Sequence, residues 1–167
     1  MTFLEKELED IIWESNNEKL QQKGLEISGK KFRQLKLARY GIADLITIER
    51  DECFDGYCTT PYLNITVYEL KKDTAGVSAF FQAVRYCKAI QSYLEQRKPK
   101  LKFKLNIVLI GKEIDKSGDL IFLTDLIKSN CMSYLKSLRF YSCFYDLDGL
   151  FFKQEEGYKM SNENFKI

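Results

Sequence analysis

An acidic and a basic residue stand two positions apart at the end of a segment with β-strand alternation. Side chains of a strand point alternately to its two faces, so within residues 63–72 Glu69 and Lys71 share one face. That face also carries Ile65 and Val67, which are of core-forming types. A carboxylate and an ammonium group therefore continue a stripe that is directed toward the interior.

Asp44 holds a similar position in the preceding β-patterned segment, residues 41–48. It interrupts a face that carries Ile42, Ile46 and Ile48. A carboxylate on a core-directed face is costly unless a partner offsets its charge. If the two strands are neighbours, Asp44 and Glu69 converge, and a shared divalent cation would stabilise both. Oxygen ligands of this kind favour Mg²⁺ or Mn²⁺, which retain waters for a phosphate and a nucleophile.

Lys71 adds a positive charge beside this predicted metal site. It is placed to orient an attacking water or to offset charge that develops on a phosphate. Together with Asp44 and Glu69 it predicts hydrolysis of phosphodiester bonds. The alternative interpretation is a buried ion pair between Glu69 and Lys71 that has only a structural role.

Composition excludes several other chemistries. The chain of 167 residues contains no histidine, which removes Ser-His and Cys-His nucleophilic mechanisms. Its five cysteines are irregularly spaced, so neither a disulfide framework nor a zinc site is expected. The net charge of +2 limits any nucleic-acid surface to a local patch. Since the N-terminus is charged and no run of about 18 apolar residues occurs, we expect a cytoplasmic protein without membrane contact.

Hydrophobic periodicity predicts a single α/β domain over residues 1–167, in which helices flank a mixed central sheet. The predicted elements are a helix from Thr2 to Gln22, strands at 32–40, 41–49 and 63–72, a helix at 77–96, a strand at 101–110, a helix at 120–138, and a hairpin at 139–154 that turns at Asp148-Gly149. The polar stretch 50–61 is expected to be a loop, and residues 155–167 a flexible tail.

The order of these motifs resembles the PD-(D/E)xK nuclease superfamily, and most closely its members with a Gln-x-x-x-Tyr motif. The matching segments are Gly41–Ile46, Ile65–Lys72, and a helix that contains Gln82–Tyr86. The family's leading proline is absent, since Ala43 precedes Asp44. The resemblance covers most of residues 3–110. It implies a restriction-endonuclease-like core of helix, three strands, helix and strand, to which a C-terminal helix and β-hairpin are added here.

The resemblance assigns metal and catalytic roles position by position. Asp44 and Glu69 would bind Mg²⁺ or Mn²⁺, and the carbonyl oxygen of Leu70 would be a further ligand. Lys71 would be the catalytic lysine.

Two further contributions to the site come from helices. Gln82 and Tyr86 lie four residues apart, hence on one helix face, and would point toward the site and the DNA. An acid of the first helix often completes the family's site. The candidates here are Glu5, Glu7, Glu9 and Asp10. Glu5 is preferred and Glu9 comes next, because both border the apolar side of the predicted helix.

DNA is the expected partner, and a two-fold homodimer is left open. The basic residues that bracket the site in sequence, and are expected to contact the DNA backbone, are Lys30, Lys31, Arg33, Arg39, Lys72 and Arg85. Tyr57 and Tyr62 could stack on bases. The basic run from Arg97 to Lys104 is expected to be a solvated surface. The competing functions are a nuclease-fold protein that binds nucleic acid without cleaving it, and a regulatory domain in which the acids form structural ion pairs.

Overall fold

The computed structural model has an α/β fold with a mixed central sheet between helices, and it describes residues 5–120, 122, 134–155 and 158–159. In chain order the elements are α1 (Glu5–Glu14), α2 (Asn17–Gln22), β1 (Lys30–Lys36), a 3₁₀ turn (Ala38–Tyr40), β2 (Ile42–Phe54), β3 (Thr59–Leu70), β4 (Thr74–Ala75), α3 (Val77–Arg97), β5 (Phe103–Gly111), β6 (Glu113–Ile114), β7 (Leu135–Asp146), β8 (Gly149–Gln154) and β9 (Tyr158–Lys159). None of the described helices is both long and apolar enough to span a membrane.

The central sheet has the strand order β1-β2-β3-β5-β7-β8, and β9 also pairs with β7. Strands β1, β2 and β3 pair antiparallel with one another, β3, β5 and β7 pair parallel, and β8 is antiparallel to β7. Because parallel neighbours need a crossover, α3 connects β3 to β5 across one face of the sheet. Strands β4 and β6 continue beyond the ends of β3 and β5 and form a separate parallel pair.

Two apolar cores lie on the two faces of the sheet. On one face α3 buries Phe80, Ala83 and Cys87 against strand residues that include Val67. These helix positions follow the three- and four-residue spacing of one helix face. On the other face α1 and α2 cover the sheet, with Leu8 among the fully buried side chains. The sheet is therefore covered on both sides, as the nearly continuous apolar run in β5 predicts.

The N-terminal helix is interrupted, which corrects the prediction of one helix from Thr2 to Gln22. Asn16 caps α2, because its side-chain oxygen accepts a hydrogen bond from the backbone N–H of Lys19 at 2.8 Å. Asparagine is among the preferred N-cap residues. The apolar spacing continues through Leu20, so periodicity alone did not reveal the break.

The stretch 50–61 is part of a long hairpin, so its prediction as a loop was wrong. Strands β2 and β3 pair in register as far as Phe54 and Thr59. The tip is closed by Asp55, whose side chain accepts hydrogen bonds from the backbone N–H groups of Tyr57 at 3.0 Å and Cys58 at 2.9 Å. Such Asx contacts are a common way to close a tight turn.

The C-terminal region also differs from the prediction. Leu135 to Leu138 belong to β7, so the helix predicted over 120–138 is wrong at its end; residues 121 and 123–133 lie outside the described residues. The predicted hairpin is confirmed, but its two turn residues are Leu147 and Asp148, one position earlier than expected. Within the predicted tail, Tyr158–Lys159 pairs with β7, and the other residues after 155 lie outside the described part of the chain.

Candidate active site

Asp44 and Glu69 are brought together by the antiparallel pairing of β2 and β3. Leu45 pairs with Tyr68, and continuing this register by one residue places Asp44 opposite Glu69. The charge of Asp44 acts on Glu69, as the pKa of Glu69 described below reflects. The two strands therefore bring the carboxylates close enough for their charges to interact. The apolar face beside Asp44 is shorter than expected, because Ile42 is 45% exposed.

Asp44 is half-buried and is held by the backbone of the neighbouring strand. Its Oδ2 accepts a hydrogen bond from the N–H of Leu70 at 3.1 Å. Burial raises the pKa of Asp44, and the negative charge of Glu5 raises it further, although the Leu70 bond and the charge of Lys71 oppose the shift. Leu70 thus contacts the site through its N–H, while metal binding by its carbonyl oxygen stays a prediction.

Glu69 is the most buried ionisable group of the site, with 1% of its surface exposed. Its Oε1 accepts a hydrogen bond from Lys71 Nζ at 2.8 Å. Its Oε2 is buried and has no hydrogen-bond partner among the described residues. Burial and the charge of Asp44 raise the pKa of Glu69 to about 7, against the opposing effect of Lys71. One carboxylate oxygen is therefore left without compensation for its desolvation.

Lys71 lies between the Glu69 carboxylate of β3 and helix α1. Besides its bond to Glu69, its Nζ lies 3.9 Å from Oε1 of Glu5, the first described residue of α1. Burial acts to lower the pKa of Lys71, but the hydrogen bond and charge of Glu69, with the charges of Glu5 and Asp44, outweigh it and raise the pKa. Lys71 stays protonated at neutral pH and carries its charge into the cluster.

Glu5 is the N-terminal acid that the structure brings to this cluster. Its charge acts on Asp44, Glu69 and Lys71. The charge of the next candidate, Glu9, also acts on Asp44, but the carboxylate of Glu9 forms an ion pair with Arg33 and accepts a hydrogen bond from Gln34 at 2.8 Å. Asp10 also pairs with Arg33. Glu7 is exposed.

Two of the basic residues expected to contact DNA have structural partners instead. Lys31 Nζ donates to the backbone carbonyls of Ile12 at 2.9 Å and Trp13 at 3.0 Å, and to that of Ser15. These carbonyls stand at the end of α1, where helix carbonyls lack partners within the helix. Arg33 is held between the acids of α1 described above. We therefore replace their predicted DNA contacts with the role of fastening α1 to β1.

Tyr86 reaches the carboxylates from α3. It is 4% exposed, and burial together with the charges of Glu69 and Asp44 raises its pKa. The hydroxyl is therefore protonated at neutral pH and can donate a hydrogen bond. Its ring lies close to Gly41, where a Cβ would stand 3.3 Å from Tyr86 Cε1. The main-chain φ of Gly41 is +112°, a conformation that favours glycine.

Gln82 lies one helical turn earlier and lines a neighbouring surface pocket. Among the described residues, no hydrogen bond connects Gln82 to Asp44, Glu69 or Lys71. The pocket lining includes Tyr40, Phe81, Arg85 and Lys88. Sequence reasoning missed Tyr40, Phe81 and Lys88. A usable signal was the helical spacing of Phe81, Arg85 and Lys88 on α3.

Of the remaining predicted basic residues, Lys30 is exposed and its Nζ lies 5.4 Å from the centre of the Phe32 ring. Arg39, Lys72 and Arg85 also lie at the surface. Arg39 packs against the ring of Tyr40 at 5.3 Å, and Arg85 against that of Tyr86 at 5.9 Å. Lys72 is exposed and lies 3.7 Å from Asp73. Arg85 lines the pocket beside Gln82, whereas Lys72 directly follows the cluster in sequence. These three residues are free of the buried contacts that occupy Lys31 and Arg33.

The donor set at Asp44 and Glu69 fits a hard divalent cation. Both groups present carboxylate oxygens, and the buried Glu69 Oε2 lacks a partner among the described residues. Mg²⁺ is commonly held by one or two carboxylates together with waters and substrate phosphate. Within residues 5–120, 122 and 134–155, no three Asp, Glu, Cys or His side chains are assembled into a metal cage. A cation here would therefore depend on water and substrate for its remaining ligands.

Comparison with protein-family models, curated proteins and solved structures found no match. The relationship to the PD-(D/E)xK superfamily, suggested by the motif residues, stays a prediction.

Proposed function

We propose that the protein is a metal-dependent nuclease that hydrolyses DNA phosphodiester bonds by attack of an activated water. The observation that carries this proposal is the charge arrangement at the start of β2 and the end of β3. The charges of Asp44 and Glu69 act on each other, Glu69 has a buried oxygen without a hydrogen-bond partner among the described residues, and Lys71 lies 2.8 Å from Glu69. Arrangements of strongly shifted titratable groups are more frequent at functional sites than elsewhere.

The carboxylates would be the metal ligands. The pKa values of both Asp44 and Glu69 are raised, so each ionised group is destabilised by its surroundings. A cation between them would reverse that destabilisation, because opposite charge favours the ionised form. When bound, Mg²⁺ or Mn²⁺ supplies Lewis acidity and lowers the pKa of a coordinated water.

Lys71 and Tyr86 would act on the substrate. The protonated amine of Lys71 orients the water that attacks phosphorus and offsets the charge that develops on the phosphate oxygens. In the reaction a bond forms between the water oxygen and phosphorus, and the bond from phosphorus to the leaving oxygen breaks. The attacking water gives up one proton and the leaving oxygen takes one up, so the protons balance. Tyr86 can donate its hydroxyl hydrogen to a phosphate oxygen, and Glu5 positions Lys71 from the other side.

The restriction-endonuclease-like fold is part of the proposal. The order of α1, the β1-β2-β3 antiparallel unit, α3 and the parallel strand β5 agrees with the core that the motif resemblance implies. Arg39, Lys72 and Arg85 would contact the DNA backbone, and Gln82 would contact the same strand through the adjoining pocket. We also propose a cytoplasmic location; the four described cysteines are free thiols, which suits a reducing compartment.

A nuclease-fold protein that binds or regulates without cleavage is the second candidate. It is favoured by the 2.8 Å contact between Glu69 and Lys71, which resembles a structural ion pair. In that case the cation would be dispensable.

Cleavage assays separate the two candidates. Single-stranded, duplex and branched DNA would be incubated with Mg²⁺, Mn²⁺ or EDTA and with the Asp44→Asn variant. Glu52→Gln is the control, because Glu52 lies on the same strand and its side chain is exposed. We expect wild type and Glu52→Gln to cut at least one substrate with a divalent ion, and Asp44→Asn to lose about 100-fold or more. DNA binding without cutting under every condition would favour the second candidate.

A further inference from the structure

A second concave surface lies at the opposite end of β3 from the candidate active site. It is formed where β3, β5 and β7 begin, together with the segment after α3. We call it the lysine pocket; the lining residues used here are Tyr62, Lys100, Lys102, Lys104, Tyr134 and Lys136. Tyr62 and Glu69 are seven residues apart on the same strand, a separation of about 23 Å at the usual rise per residue.

The lysine pocket has an excess of positive charge. Four lysines line it, and Asp55 is its one acidic lining residue in the described chain. The carboxylate of Asp55 is already engaged by the backbone N–H groups of the hairpin tip. Among the described residues, no carboxylate lies within 4 Å of Lys100, Lys102 or Lys104. A concave surface with these charges attracts anions.

Aromatic rings line the same pocket. Lys104 Nζ lies 4.0 Å from the centre of the Tyr62 ring, and the Tyr62 hydroxyl donates to Asp51 at 2.5 Å. Tyr134 is stacked on the buried Phe103 with ring centres 4.4 Å apart. Both tyrosines are half-buried and are held by these contacts. Fixed aromatic rings beside lysines form the combination that binds unpaired bases together with their phosphates.

We propose that the lysine pocket binds a single-stranded segment of the nucleic acid on which the active site acts. The choice of nucleic acid as occupant rests on the proposed nuclease function, whereas the anion-binding character follows from the pocket itself. At about 3.4 Å per stacked nucleotide, the 23 Å separation corresponds to about 7 nucleotides. The protein thus prefers substrates that have an unpaired strand extending beyond the cleaved bond.

The test is equilibrium binding in EDTA, which prevents cleavage. A fluorescent strand of about 30 nucleotides is titrated with wild type, with Lys100→Ala/Lys102→Ala, and with the control Lys19→Ala/Lys153→Ala, which removes the same charge from exposed sites outside the pocket. We expect the pocket variant to raise Kd about 10-fold and to lower the slope of log K against log salt by about 1.4, since each lost phosphate contact on a single strand contributes about 0.7. The control should match wild type.

A further arm completes the test. A blunt duplex should bind the pocket variant and the control equally, because it places no unpaired strand in the lysine pocket. Equal affinity of pocket variant and control for the long strand would overturn the proposal. An equal loss for the blunt duplex would overturn the preference for single strands. Because these are binding measurements, their outcome is separate from that of the Mg²⁺-dependent cleavage assay, on which the nuclease proposal depends.

Discussion

Replacing Glu69 by glutamine should stabilise the metal-free protein at alkaline pH. The folded-state pKa of Glu69, about 7, lies above its ordinary value of 4.5. Between these values the folded state holds a proton that the unfolded state has lost, so stability is fully present below pH 4.5 and falls as pH rises through 7. This rise in the pKa of Glu69 corresponds to about 3 kcal/mol of lost stability at pH 8.

Glutamine stays neutral at every pH and removes this loss. It also weakens the charged hydrogen bond to Lys71, which is worth part of the same energy. We therefore expect Glu69→Gln to exceed wild type by about 1–2 kcal/mol at pH 8 and to equal or fall below it at pH 5. The measurement is urea denaturation in EDTA at both pH values, with Glu49→Gln as control. Glu49 lies on β2 of the same hairpin, where its carboxylate accepts a hydrogen bond from Ser28.

Addition of Mg²⁺ should reverse the order at pH 8. A ligand that binds only the folded state at about 100 times its Kd adds about 2.7 kcal/mol. Wild type should gain this stability, and Glu69→Gln should gain little. A Glu69→Gln variant less stable than wild type at pH 8, with no effect of Mg²⁺ on either protein, would refute the reasoning. Glu69 and Lys71 would then form a structural ion pair.

The remaining predictions concern residues around the cluster. Lys31→Ala should lower the free energy of unfolding by about 1–2 kcal/mol, as measured by urea denaturation, because it removes the cap on α1. The salt dependence of DNA binding, measured by fluorescence anisotropy, should not change. A smaller slope of log K against log salt would instead indicate that Lys31 contacts DNA. Glu5→Gln should reduce the cleavage rate about 10- to 100-fold, whereas Glu9→Gln should mainly lower the free energy of unfolding. If cleavage and denaturation measurements gave the reverse result, Glu9 rather than Glu5 would belong to the active site. Gly41→Ala should cost about 1–3 kcal/mol in thermal denaturation, because the backbone has a positive φ and Tyr86 lies in the path of the new methyl group; an unchanged melting curve would contradict this.

Much of the candidate site follows from local sequence alternation. A period of two places Glu69 on the face of Val67, and the antiparallel hairpin of β2 and β3 sets Asp44 opposite it. Both features can be predicted because they depend only on side-chain alternation within a strand and on the pairing of two consecutive strands. The four-residue spacing on α3 also places Gln82 and Tyr86 on one helix face, but it does not predict that Tyr86 is buried.

Other features depend on contacts between distant segments, which spacing along the chain does not encode. Lys31 and Arg33 have the composition of a DNA-binding strand, but the end and the acids of α1 occupy them. Strands β2 and β3 extend into residues 50–61 by backbone pairing, and the side chains of residues 50–59 are exposed, so no apolar period marks this extension. The lysine pocket likewise assembles residues from three strands that begin at one edge of the sheet.

The most direct test of the nuclease proposal compares cleavage by wild type, Lys71→Ala and Lys72→Ala. These adjacent lysines differ in their surroundings: Lys71 contacts Glu69 at 2.8 Å, and Lys72 is exposed beside Asp73. Single-turnover rates would be measured with Mg²⁺ on the best DNA substrate, after circular dichroism has established that all three proteins are folded. We predict that Lys71→Ala cleaves about 1,000-fold more slowly than wild type and that Lys72→Ala keeps a similar rate at saturating DNA. Equal rates for wild type and Lys71→Ala would contradict the proposed catalytic role.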